Sequence, residues 1–280
     1  RDEETGRWDR VITPHLDDTP TEHGFVSMQP LDRDRLLAVW LDGRNTDGRG
    51  HGEYGDHSMA MTLRSAVISR DGSVTDKRVI DEVVCDCCQT DLARVNGEFV
   101  AVYRGRSSGE VRDIMMARYN PESAEWSEPV VVAEDGWEIQ ACPVNGPRIA
   151  VYDEELAVAW FTGAEDHPRV LVARSSDRGY TFSEPLIIAE NSTAGRPDLL
   201  FTGQGELFVS WLEVRGEAGN VMVRQVNEDD TSGPAITAGI TSASRSSGFP
   251  RMAYSEGSIL IAWTQTEPLI RVRTALVPVR

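Results

Sequence analysis

No apolar run in this chain approaches the roughly 20 residues that a membrane-spanning helix needs. The longest, such as Leu207 to Leu212, have the length of single buried strands. Positive charge is also short: 28 Lys and Arg stand against 45 Asp and Glu, a formal net charge of −17 over 280 residues. A surface for nucleic acid or an anionic membrane needs clustered cations, so neither partner is expected. Helical periodicity is missing as well, since no stretch of ten residues repeats its apolar positions at helical spacing. Cysteine is scarce, with only Cys85, Cys87, Cys88 and Cys142. Four thiols permit two disulfides in three connectivities, or a thiolate site. General disorder is excluded by a composition of 40% hydrophobic and 26% charged residues, close to globular averages. The chain starts at Arg1 without a signal peptide and reads as a mature form or a fragment.

What is present is a repeat. Gly146-Pro147-Arg148-Ile149-Ala150 leads through a turn to Leu156-Ala157-Val158-Ala159-Trp160. Arg196-Pro197-Asp198-Leu199-Leu200 leads likewise to the strand ending at Trp211, and Phe249-Pro250-Arg251-Met252-Ala253 to the one ending at Trp263. Earlier copies end at Trp40 and Tyr103, so the aromatic anchors lie 63, 57, 51 and 52 residues apart. Each anchor is followed by two further strand patterns: Ile114–Tyr119 and Val130–Ala133 after Tyr103, Arg169–Arg174 and Pro185–Ala189 after Trp160. A period above 50 built from four short strands is the signature of a β-propeller blade. A β-sandwich would explain the strands but not the period.

The segment Ser175-Ser176-Asp177-Arg178-Gly179-Tyr180-Thr181-Phe182 matches the Asp-box pattern, Ser-x-Asp-x-Gly-x-Thr-aromatic, with a worn copy at Ser69-Arg70-Asp71-Gly72. Asp177 there accepts hairpin N–H bonds and Gly179 supplies a positive φ, so the box is structural rather than catalytic. On these motifs the chain resembles the sialidase-like, BNR-repeat propellers. The segments around Thr21-Glu22-His23, Trp40-Leu41-Asp42-Gly43-Arg44, Cys85-Asp86-Cys87-Cys88-Gln89-Thr90, Cys142–Pro147 and Ser247–Arg251 are similar to bacterial exported proteins labelled exo-α-sialidase. The resemblance implies a periplasmic or secreted protein. It also implies a propeller of six blades, of which five are visible, in a single domain over residues 1–280 truncated at its N-terminus. Trp8–Pro14 is expected to be an outermost strand and Ile270–Val277 a third strand.

Antiparallel strands place successive connections on alternate faces of a blade. One face collects Glu22, His23, the four cysteines, Gln89, Asp91, Asn145, Arg196, Asp198 and Arg251, which lead into first strands. The same face collects Arg44, His51, Glu53, Asp56, His57, Arg104, Arg106, Glu110, Arg112, Asp113, Asp166, His167, Glu213 and Arg215 from second-to-third loops. Three readings of that face stand side by side. Sialidase-type chemistry, implied by the resemblance, uses three arginines on a substrate carboxylate, a Tyr–Glu nucleophile and an Asp acid/base. For that reading the candidate catalytic set is Glu22, Asp91, Arg104, Arg112, Arg196 and Arg251, with His23, Arg44, Arg106, Asn145 and Asp198 as ligand-binding residues. The family's Phe/Tyr-Arg-Ile-Pro motif is absent, and Tyr103 falls at a core anchor position, leaving Tyr54 and Tyr254 as substitute nucleophiles.

The second reading is a soft-metal or redox site on Cys85-x-Cys87-Cys88 with Cys142, against which stands a plain disulfide from the cluster to Cys142. The third is a non-enzymatic interaction propeller, in which the arginines pair with acidic loops, as in Glu110–Arg112–Asp113, in a solvated network. The reading adopted is a sialidase-like propeller that binds or hydrolyses a glycan or other small polar ligand, with no cofactor and no resident metal expected. The alternative is a metal-binding or protein-interaction propeller.

Overall fold

The computed structural model describes residues 5–8, 11–46 and 57–279. It contains five antiparallel sheets in chain order. The first holds β1 (His23–Pro30), β2 (Arg35–Asp42), β3 (Met61–Ser69) and β4 (Val74–Val84). The second holds β5 (Asp91–Val95), β6 (Glu98–Arg104) and β7 (Ile114–Asn120), with β8 (Glu125–Trp126) and β9 (Val130–Ala133) both paired to β7. The third holds β10 (Arg148–Tyr152), β11 (Glu155–Thr162), β12 (Arg169–Ser175) and β13 (Leu186–Glu190). The fourth holds β14 (Thr193–Phe201), β15 (Leu207–Arg215), β16 (Ala218–Val226) and β17 (Ile236–Ser242). The fifth holds β18 (Arg251–Ser255), β19 (Ser258–Gln265) and β20 (Arg271–Pro278). Each sheet is a meander whose first strand touches the first strand of the next, which is the architecture of a β-propeller.

The aromatic anchors explain the assembly. Trp40, Tyr103, Trp160, Trp211 and Trp263 all lie on second strands, and all are buried. Alternation along a strand buries both of its faces here, because a blade is sandwiched between neighbours. Hence Leu156, Val158 and Trp160 pack toward the second sheet, while Ala157, Ala159 and Phe161 pack toward the fourth. Three of the anchor polar atoms find carboxylates nearby, whereas Trp211 Nε1 is buried without a hydrogen-bond partner among the described residues. Trp40 Nε1 donates to Asp42 Oδ2 at 2.9 Å, Tyr103 Oη to Asp81 Oδ2 at 2.8 Å, and Trp160 Nε1 to Asp135 Oδ2 at 2.7 Å. Burial and the Asp81 carboxylate push the Tyr103 phenol far up, so this residue is packing, not a nucleophile.

Between β12 and β13 the turn is closed by Asp177, whose Oδ1 accepts the N–H groups of Tyr180 (3.0 Å) and Thr181 (2.9 Å). Its Oδ2 accepts the Thr181 hydroxyl at 2.6 Å, and Gly179 sits at φ +86°. Asp71 and Gly72 (φ +85°) form a simpler turn between β3 and β4.

One expectation changes. Trp8 and residues 11–14 form no strand, and Trp8 and Val11 are exposed, so this segment is not the outer strand of the fifth sheet. Hydrophobic clusters fill the four spaces between consecutive sheets, but among the described residues none joins the fifth sheet to the first.

Candidate functional site

The innermost strands share one register. Asp91 pairs with Val102, Arg148 with Ala159, Asp198 with Ser210 and Arg251 with Ala262, in each case the residue just before an aromatic anchor. Ser27 takes the same place in the first sheet, opposite Val39. Equivalent positions on successive innermost strands therefore carry Ser, Asp, Arg, Asp, Arg around the central channel.

The charges interlock. Arg148 bridges both acids, with Nη2 3.2 Å from Asp91 Oδ2 and Nε 3.0 Å from Asp198 Oδ1. Arg251 Nη1 reaches the same Asp198 oxygen at 3.3 Å. The acids also stitch neighbouring sheets: Asp91 Oδ2 accepts the Ile149 N–H at 3.0 Å, and Asp198 Oδ2 accepts the Met252 N–H at 2.6 Å. Burial raises the Asp91 carboxyl above its ordinary range, although Arg148 and the Ile149 N–H pull it back in part. A cavity of about 500 Å³ opens over this ring, lined among others by Ser27, Gln29, Asp91, Arg148, Phe249 and Arg251. Asp198 lies just behind it, while the Arg251 side chain is 53% exposed and, among the described residues, makes one ion pair, to Asp198.

Of the residues expected from sequence, Asp91 and Arg251 line this cavity and Asp198 supports it. Arg148, not singled out before, sits at its centre; its template position, shared with Asp198 and Arg251, is the signal that marks it.

The three-arginine clamp does not form. Arg104 is 1% exposed and donates to the carbonyls of Asn145 (2.9 Å), Arg112 (2.6 Å) and Phe161 (2.5 Å), so its N–H groups are directed into the protein. Arg112 and Arg106 are buried on Glu110, each at 2.7 Å, with Asp86 3.5 Å from Arg106. That network is interior, not solvated as expected, and Asp113 is outside it, accepting the Gly136 N–H. Arg196 is buried and holds the 244–248 turn through Ser247 Oγ (2.6 Å), the Gly248 carbonyl (3.1 Å) and the Ser244 carbonyl (3.0 Å). Asn145 is a strut: its Oδ1 accepts the Arg196 N–H at 2.6 Å and its Nδ2 donates to the carbonyls of Pro143 and Ala194. Glu22 is exposed and does not line the cavity.

His23 and Arg44 meet on shared carboxylates, Asp17 and Asp42, away from the cavity lining. The His23 ring stacks on His15 at 3.9 Å and places Nε2 2.8 Å from Asp17 Oδ2. Arg44 lies 3.1 Å from Asp17 and 2.7 Å from Asp42. His15, Asp17 and His23 are close enough to share a cation. The imidazole planes are only 16° apart, however, so their lone pairs lie in near-parallel stacked planes and do not converge on one point, and Arg44 already supplies the positive charge. The cluster fits an ion pair pinning residues 15–23 to the end of β2. His51, Glu53, Tyr54 and Asp56 lie outside the described residues.

At the start of the second sheet Cys87 is joined to Cys142, with Cα atoms 6.0 Å apart across 55 residues of sequence. Cys85 and Cys88 are free and buried. The bond fastens the 85–90 loop to the segment before β10, where Gln89 Oε1 accepts the Gly146 N–H at 2.9 Å. Only glycine fits there, since a Cβ at position 146 would lie 1.9 Å from the Gln89 carbonyl oxygen.

No protein-family model matches the chain, and no curated protein does. Solved structures do. An α-L-arabinofuranosidase from Podospora anserina, in complex with cellotriose, is similar over 95% of this chain and 93% of that one, with a TM-score of 0.52 and 9% identity. An α-L-arabinofuranosidase from Fusarium graminearum, in complex with an iminosugar inhibitor, is similar over 90% and 92%, with a TM-score of 0.50 and 11% identity. At such identities the likeness is one of fold, and it agrees with a propeller.

Proposed function

We propose that this chain binds a glycan at the channel mouth, with Arg251 receiving the carboxylate of an acidic terminal sugar. The observation that carries this reading is the ring of alternating charges beneath a cavity of about 500 Å³, in which, among the described residues, Arg251 alone keeps most of its donors free. An Arg fork suits a carboxylate bidentately, and the cavity beside it is lined by neutral polar side chains, Ser27, Gln29 and Gln89. The likeness in fold to two arabinofuranosidases supports a carbohydrate ligand by analogy alone. A hydrolytic form of the same site would use Asp91, held protonated longer by burial, as proton donor. The Cys87–Cys142 bond supports a periplasmic or secreted location, because such bonds persist in oxidising compartments.

Calorimetric titration with sialic- and uronic-acid-terminated oligosaccharides tests the reading. Affinity should exceed that for neutral analogues and drop at least about tenfold in Arg251→Ala, the loss of one charge-assisted pair. Equal binding of acidic and neutral sugars, or an unchanged Arg251→Ala, would overturn it. Phenol release from aryl glycosides, abolished in Asp91→Asn, would establish the hydrolytic form.

A further inference from the structure

The sulfur atoms of Cys85, Cys87 and Cys88 all lie within 4.8 Å of one another, although only Cys87 is bonded, to Cys142. A buried free thiol is thus held against a disulfide that reaches the surface: Cys85 and Cys88 are buried, whereas Cys87 and Cys142 are part-exposed. The Cys85 backbone is fixed by its N–H bond to the Arg104 carbonyl at 3.0 Å, and its side chain is fully buried, which limits its rotation. We propose that Cys85 and the Cys87–Cys142 bond form an internal thiol–disulfide exchange centre, which makes Cys142 a covalent modification site for small disulfides and alkylating electrophiles.

The step balances without an external oxidant or reductant. The Cys85 thiolate attacks Cys87 Sγ; a Cys85–Cys87 bond forms as the Cys87–Cys142 bond breaks, and Cys142 leaves as the thiolate. The proton that Cys85 releases to solvent is matched by the one Cys142 takes up when it is protonated. The surroundings favour this direction of attack. Burial opposes the Cys85 thiolate, but a hydrogen bond from Cys88, the Cys87 backbone N–H and the nearby Arg104 and Arg112 charges outweigh it and lower the thiol. Cys88, whose thiol burial pushes up, remains the protonated donor. Cys142 sits on the surface segment that carries Asn145 and Gly146, so its release removes the covalent tie of that segment to the 85–90 loop while the Asn145 and Gly146 hydrogen bonds keep it in place.

The test needs only the folded, unreduced protein, held at pH 8 with iodoacetamide and then digested without reduction for mass mapping. The expected result is carbamidomethyl on Cys142 and a peptide spanning Cys85 to Cys88 that carries an internal Cys85–Cys87 bond. In Cys85→Ser the labelling of Cys142 should slow by at least about tenfold, because the internal nucleophile is gone. The wild-type map stands by itself should that variant fail to fold. A Cys87–Cys142 peptide that stays intact after prolonged incubation, with two free thiols found on unfolding, would overturn the proposal. So would an internal Cys87–Cys88 bond, or equal Cys142 labelling in Cys85→Ser, since both remove Cys85 as the attacking group.

Discussion

Glu110 shows how a single side chain in this face acts inward. Its carboxylate is 1% exposed and takes both Arg106 and Arg112 at 2.7 Å, with His57 Nε2 4.0 Å away and Asp86 across Arg106. Burial works against the charge, but the two guanidinium hydrogen bonds win and hold the carboxyl down at about 2. A lowered carboxyl contributes stability that is complete above its unfolded value and is lost as pH falls through its folded one. Glu110→Gln leaves the buried Arg112 without its carboxylate and Arg106 with Asp86 alone at 3.5 Å, which costs about 3–5 kcal/mol at neutral pH. The gap from wild type should then shrink between the ordinary carboxylate range and pH 2, as the wild-type residue protonates. Urea unfolding at a series of pH values measures it, and a gap constant down to pH 2 would show that Glu110 is not the charged partner.

At the scale of the element, strand pattern and turn chemistry account for each blade separately from the ligand site. Asp177 closes the β12–β13 turn with four hydrogen bonds, on the face opposite Arg251. Asp177→Ala should lower the melting temperature while leaving affinity of the folded protein for acidic oligosaccharides unchanged; calorimetric scanning and titration on the same sample check both. The blades were legible because alternation and the aromatic anchors repeat in register, and both are local properties of the chain. The site was legible only in part. Asp91, Asp198 and Arg251 stand at a repeated position that sequence exposes, and Arg148 belongs to the same series. Arg104 and Arg196 look identical to ligand-binding arginines in sequence, since their acceptors are carbonyls that only the fold brings near. Backbone acceptors carry no residue-type signal, so no pattern of residues could have revealed them.

For the whole molecule the decisive feature is where packing stops. Ile259, Ile261, Trp263 and Val277 bury one face of the fifth sheet against the fourth. On its other face Leu260, Ile270, Val272 and Leu276 are exposed, Val272 at 72% and Leu276 at 68%. β20 is also the outermost strand of its sheet, so one row of its backbone groups has no ladder partner within that sheet. The third sheet has the opposite situation, with clusters on both faces and a fourth strand. Local opening free energy follows buried contact, so protection against hydrogen exchange should be unequal around the ring. Amides of β18–β20 should exchange at least about tenfold faster than those of β10–β12, a difference of roughly 1.4 kcal/mol in opening. Peptide-resolved exchange monitored by mass spectrometry gives both rates in one experiment. If β18–β20 proved as protected as β10–β12, the exposed face would have to be covered in solution, and the ring would be closed where the structure leaves it open.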